Sequence, residues 1–214
     1  MIKPLIFIPS PRDIDTFRES TWRLKYDKLW AKYYPQQDAY DLARLYFLTN
    51  HDYYTHFIIL PDDLIIKWWH LDILLSRPND VISGWCANTA RVQGFDNLDS
   101  CVSFSLPPDP PCSGIYSMYN FISLEDIQEF LNTGISVIPV RFSGFAPMII
   151  PRNVIEKIPF RTSDGCCVDS CFSIDLAEHG IKQYVDLQCQ TKHIRHPAIL
   201  VGQQEPKTVF EKVS

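Results

Sequence analysis

The sequence predicts an α/β domain: a central sheet of mixed but mostly parallel strands, flanked by helices, in the Rossmann-like manner. Short apolar runs alternate with segments of helical period through the first hundred residues, the pattern of a doubly wound half-sheet. No internal repeat and no linker interrupts the 214 residues, so residues 1–214 read as a single domain. The composition, 46% hydrophobic and 21% charged, is that of a globular chain long enough to bury a core.

The first strand is "PLIFIPSPRD", expected to stop at Pro9 and Pro11 because proline lacks the donor a ladder needs. "DTFRESTWRLKY" then reads as helix and "DKLWAKYYP" as an extended aromatic strand ending at Pro35. In "QQDAYDLARLYFLTN", Ala39, Leu42, Leu45, Tyr46 and Leu48 recur at helical spacing, with Asn50 as C-terminal cap. The third strand is Phe57 to Leu60, and "DVISGWCA" (Asp80 to Ala87) closes the half-sheet. Between them "LIIKWWHLDILL" is apolar at helical spacing.

Residues 104 to 120 are rich in proline and aromatics and read as a loop. "SLEDIQEFLNTG" carries a helix signature, with Ser123 as cap, Asp126 completing S-x-x-D and Gly134 past the end. "ISVIPVRFSGFAPMIIPRNVIEKIPF" predicts a strand, a turn at Ser143 and Gly144, a second strand and a helix opened by Pro151. The last pair is a helix from Asp169 that Gly180 stops, then the strand "IKQYVDLQCQTKH" ending at His193.

Several function classes are excluded by composition. A net charge of −5 and a pI near 5.6 argue against nucleic acid as a partner, which would demand a basic surface. No apolar stretch reaches a membrane span, and the N-terminal run is too short for a signal peptide, so the chain reads as cytoplasmic with no transmembrane segment. Seven cysteines without a C-x-x-C pair are expected to be mostly buried thiols, although Cys166, Cys167, Cys171 and Cys189 offer donors for zinc or a disulfide.

Ligands of open α/β sheets bind beyond the C-terminal strand ends. The positions so placed are Pro9, Ser10 and Arg12 after the first strand, Tyr34 after the second, and Asp62 and Asp63 after the third. An acid there suits a hard divalent ion, and equally a solvated turn. Asp169, at a helix start, is expected to be held ionised by free amides and the helix dipole, or to be a plain N-cap. Asp164 lies in a glycine-adjacent turn, and Asp175 reads as a solvated helix position. His193 alone is an ordinary histidine; in order with the acids it suggests a metal and a base. Trp68, Trp69 and Trp85 are candidates for stacking on sugars, and equally for burial in the core or against a partner.

The ordered set "FIILPDDL", "SGFAPMIIPRNVIEKIPF", "VDSCF" and "VDLQCQTKH", preceded by "PLIFIPSPR", resembles the nucleotide-sugar glycosyltransferases of GT-A fold, family-2-like and of compact archaeal and viral type. The resemblance implies a single GT-A-like domain, with residues 1–100 binding nucleotide and 101–214 providing the acceptor and catalytic half. It implies that Asp63 and His193 bind a divalent cation (Mn2+ or Mg2+) and that Asp169 is the general base. Pro9, Ser10, Arg12, Tyr34 and Asp62 would line the nucleotide pocket, and Ser143, Gly144 and Phe145 the acceptor floor. Pro61 takes the first acidic place of the usual D-x-D, Val168 replaces a glutamate beside the base, and Q-x-x-R-W is absent. The implied reaction is transfer of one sugar, with inversion, from a UDP- or GDP-sugar to a glycan, protein or lipid acceptor. Two other readings use the same acids: a metal-dependent phosphoesterase or nucleotidyltransferase, and a catalytically silent binding or scaffold protein.

Overall fold

Strand β1 (Pro4–Ser10) shows how the interior is organised. Leu5 and Phe7 belong to one apolar cluster and Ile6 and Ile8 to another, because successive side chains of a strand point to opposite faces. A strand buried on both faces needs cover on both. In a computed structural model of the chain, residues 2–11, 14–88, 99–106, 120–163, 167–194 and 209–213 are described. Arg12, Asp164, Cys112, Cys166 and most of the proline-rich loop lie outside them.

The first half of the chain follows with α1 (Asp15–Thr21), β2 (Asp27–Lys32), α2 (Gln36–Thr49), β3 (His56–Ile59), β4 (Leu64–Ile65), α3 (His70–Leu75) and β5 (Val81–Asn88). The second half contains β6 (Asp99–Ser103), β7 (Phe121–Ser123), α4 (Leu124–Asn132), β8 (Val137–Val140), β9 (Phe142–Ser143) and β10 (Met148–Pro151). It ends with α5 (Arg152–Lys157), α6 (Val168–Glu178), β11 (Gln183–His193) and β12 (Val209–Val213). The main sheet runs β12-β2-β1-β3-β10-β5-β11-β4, while β6 joins β5 to β7 and β9, and β8 pairs with β11.

Helices α2, α5 and α6 cover one face through Tyr40, Phe47, Ile155 and Phe172; α1, α3 and β4 cover the other through Phe17, Leu71 and Leu64. A third cluster packs Ile127 of α4 against Ile122, Ile138 and Leu187. The caps follow local chemistry. Ser123 Oγ accepts from Asp126 N–H at 3.0 Å, Asn50 Nδ2 donates to Tyr46 O at 2.8 Å, and Gly134 and Gly180 take φ of 82° and 68°.

The architecture is mixed α/β, but the sheet is not mostly parallel. Parallel pairing is confined to β1–β2, β1–β3 and β5–β11, and antiparallel pairs predominate among the described residues. Strand–helix alternation holds in the first half only. In the second half β10 enters between β3 and β5, antiparallel to both.

Two element boundaries also shift. β1 runs through Pro9 to Ser10 instead of stopping. Phe7 O accepts from Leu60 on the β3 side and Ser10 O from Tyr33 on the β2 side. The donor that Pro9 lacks would therefore point toward β3, whose ladder with β1 ends at Phe7. The apolar stretch after Asp63 splits into β4 and α3, because Leu64 and Ile65 pair with His193 and Lys192 of β11.

Candidate functional site

The C-terminal ends of β1, β2, β3 and β11 share one edge of the sheet. Past β3 the chain turns through Pro61 and Asp62. Asp62 is fully buried, and its Oδ2 accepts from Ser10 Oγ at 3.1 Å, which ties the ends of β1 and β3 together. Tyr33, in the left-handed region at φ 61°, donates its N–H to Ser10 O at 3.0 Å. The Tyr34 ring then sits edge-on to Phe210 at 6.2 Å.

Asp63 meets His193 because β4 is antiparallel to the end of β11. Ile194 N–H donates to Asp63 O at 2.6 Å, and Asp63 Oδ2 lies 3.2 Å from His193 Nε2. These side chains retain 17% and 33% exposure, so the pair faces solvent on one side. Adjacent ligands of an octahedral ion with bonds of about 2.1 Å stand about 3 Å apart, and this oxygen and nitrogen match that spacing. Among the described residues no group of three or more His, Cys, Asp or Glu gathers as a metal cage. Asp63 and His193 offer two donors, and any ion held there would need its other ligands from water or substrate.

Asp169 stands inside the first turn of α6, one residue further in than the sequence suggests, and the N-cap is Cys167, whose side chain makes no capping bond. Asp169 Oδ1 accepts from Ser170 N–H at 2.8 Å. Contrary to expectation, burial outweighs this bond and pushes the carboxyl up to about 6. Its Oδ2 faces Gly144: a Cβ placed there would lie 3.8 Å from that oxygen and 3.5 Å from Cys101 Cβ. Ser143, beneath, is fully buried and 2.7 Å from Ser83 Oγ.

Tyr40 of α2 is buried in the core. Phe7, Phe145 and Phe160 hold its ring at centroid distances of 5.0, 5.7 and 5.1 Å. Burial, then the negative charges of Asp169, Asp63 and Cys167, push its phenol well up. Nothing in the sequence distinguishes Tyr40 from the core residues of its helix.

A thiol pair lies beside these groups. The Ala87↔Ser100 register places Cys86 opposite Cys101, and Cys86 N–H donates to Cys101 Sγ at 3.3 Å. The hydrogen bond between the thiols raises Cys86 and lowers Cys101; Asp63 adds to the rise of Cys86, and Asp169 opposes the fall of Cys101. The sequence showed β5 as a strand, but neither β6 nor its pairing with β5.

The other expectations resolve as follows. Ser10 bonds Asp62 and Asp63 meets His193 past the C-terminal ends of β1, β3 and β11, while Asp169 stands at the start of α6 opposite Gly144. Cys189 does not join Cys167 and Cys171: it packs in the cluster on the opposite sheet face from α6. Asp175 is not a solvated position. It is 7% exposed and takes three hydrogen bonds from Arg161, of 2.6 to 3.1 Å. Trp85 is buried, with its indole N–H on Leu187 O at 2.9 Å. A cavity of about 320 Å³ lined by Pro139, Arg141, Ala177 and Gln183 opens at the other end of β11 and contains none of the candidate residues.

The fold and this edge define a mixed α/β protein with acids at a sheet terminus. No protein-family model matches the chain, and no curated protein matches it. The chain is similar in structure to one described as "Crystal Structure of A197 from STIV". The TM-score is 0.57 over 94% of this chain and 99% of that one, at 14% identity, so the likeness is one of fold.

Proposed function

We propose that this chain is a metal-dependent glycosyltransferase of GT-A type, moving one sugar from a UDP- or GDP-sugar to an acceptor hydroxyl with inversion. The observation that carries the reading is the contact of Asp63 Oδ2 with His193 Nε2 at 3.2 Å, beside buried Asp62 past the end of β3, with Asp169 at the start of α6 facing Gly144. In this reading Asp63 and His193 would hold a manganese or magnesium ion, which would supply positive charge opposite a departing diphosphate.

Asp169 takes the proton of the attacking acceptor hydroxyl. A carboxyl lifted to about 6 is mostly ionised at neutral pH yet more basic than an ordinary aspartate, which suits a general base. Gly144, without a side chain, leaves the approach to Asp169 Oδ2 open. Pro9, Ser10 and Tyr34 flank the nucleotide, while buried Asp62 fixes the turn that presents Asp63.

Thermal shift with UDP, GDP and CMP, each with and without manganese, tests the reading, since a ligand of the folded state raises Tm. A manganese-dependent rise with UDP or GDP is expected, and His193→Ala should weaken its metal dependence roughly 10-fold or more. No metal-dependent nucleotide binding would overturn the proposal. Phosphate release from nucleotide sugars without sugar transfer would favour a phosphoesterase.

A further inference from the structure

The face covered by α1 and α3 carries all three exposed tryptophans. Trp22, Trp68 and Trp69 are 69%, 56% and 39% exposed, whereas Trp30 and Trp85 are buried. They share a neighbourhood. Leu24, Ile66 and Leu71 belong to one cluster, and Lys25 Nζ reaches Asp72 Oδ2 at 3.1 Å, which pins the segment after α1 to the first turn of α3. Cations stand over two of the indoles: Arg23 over Trp22 at 5.1 Å and Lys67 over Trp69 at 5.0 Å. Acids on this face are Asp72, bound by Lys25, Asp15, bound by Arg18, and Glu19.

We propose that this face docks on an anionic lipid bilayer. The indole has an apolar body and a polar N–H, which suits the boundary between headgroups and acyl chains. Arg23 and Lys67 supply the contacts that anionic headgroups reward. The chain's net charge of −5 gives no long-range attraction, so docking depends on this face. The face is continuous with the candidate site, since β4 lies between Asp63 and Trp68 and pairs with His193. Docking would place that edge beside the membrane and present it to membrane-borne acceptors. The docking itself stands whether or not the chain transfers sugar.

The test is co-sedimentation of the full chain with phosphatidylcholine vesicles, with and without phosphatidylserine, together with quenching of tryptophan emission by brominated acyl chains. Binding to the phosphatidylserine vesicles with quenched, blue-shifted emission is expected. Trp68→Ala with Trp69→Ala should cut partitioning about tenfold. Arg23→Gln and Lys67→Gln should each cut it about fivefold, the loss of one cation near an anionic leaflet, while Lys157→Gln on α5 should not. All these positions are exposed, and circular dichroism verifies that the variants fold. Absent vesicle binding, binding unchanged in the double tryptophan variant, or self-association that this variant abolishes would each overturn the proposal.

Discussion

Replacing Asp169 by Asn should stabilise the protein at neutral pH. Burial holds this carboxyl at about 6 against an ordinary 3.8, so the folded state disfavours its ionised form. A pH unit is worth about 1.36 kcal/mol, which makes the cost at neutral pH about 3 kcal/mol at most, and nearer 1.5 because solvent still reaches the side chain. The carboxyl is neutral in both states below 3.8, and its penalty develops as pH rises from there through about 6. Asn carries no charge at any pH and keeps an oxygen for the Ser170 N–H. Urea denaturation from acid to neutral pH should therefore show equal stability for the two proteins near pH 4, and a gap of about 1.5 to 3 kcal/mol above pH 6, or roughly 3 to 10 °C in Tm. The same variant should bind nucleotide and lose transfer. A variant less stable than the parent at neutral pH, or one whose difference ignores pH, would refute the reasoning.

Three other outcomes can be measured directly. Burial holds His70 down at about 4, and its Nδ1 has no hydrogen-bond partner, so the parent should lose stability as pH falls from 6.5 through about 4. His70→Gln should flatten that limb in urea titrations at several pH values. Gly84→Ala should cost about 1 to 3 kcal/mol or more in thermal denaturation, because its Cβ would stand 2.5 Å from Cys189 O and 2.8 Å from Ala146 O. Asp63→Ala should abolish manganese-dependent nucleotide binding in calorimetry while leaving Tm within a few degrees, since the pair it breaks is partly exposed.

Much of the fold was legible because local chemistry agrees with it. The Ser123 cap, the Asn50 cap and the stops at Gly134 and Gly180 each follow from a side chain or a φ that short-range physics dictates. The strand ends at Ser10 and His193 were placed within a residue or two for the same reason. Strands β4, β6, β7, β9 and β12 were not foreseen. All are two to five residues long, and each is held by a partner outside its own segment, as Leu64 by His193 or Phe210 by Ala31. Asp175 misled because helical position alone does not reveal Arg161.

The order of strands and helices, the acids at strand and helix ends, and the buried alternation of β1 and β3 were determined by the sequence itself, since periodicity, proline and capping act over a few residues. Strand direction, the antiparallel entry of β10, the contact of Asp63 with His193 and the rise of Asp169 to about 6 were decided only by the tertiary structure. Pairing register and desolvation depend on which distant groups fold together. Asp169 and Asp62 are the same side chain to a reader of the sequence; one is lifted by burial above an ordinary aspartate, and the other is tied to a serine fifty-two residues away.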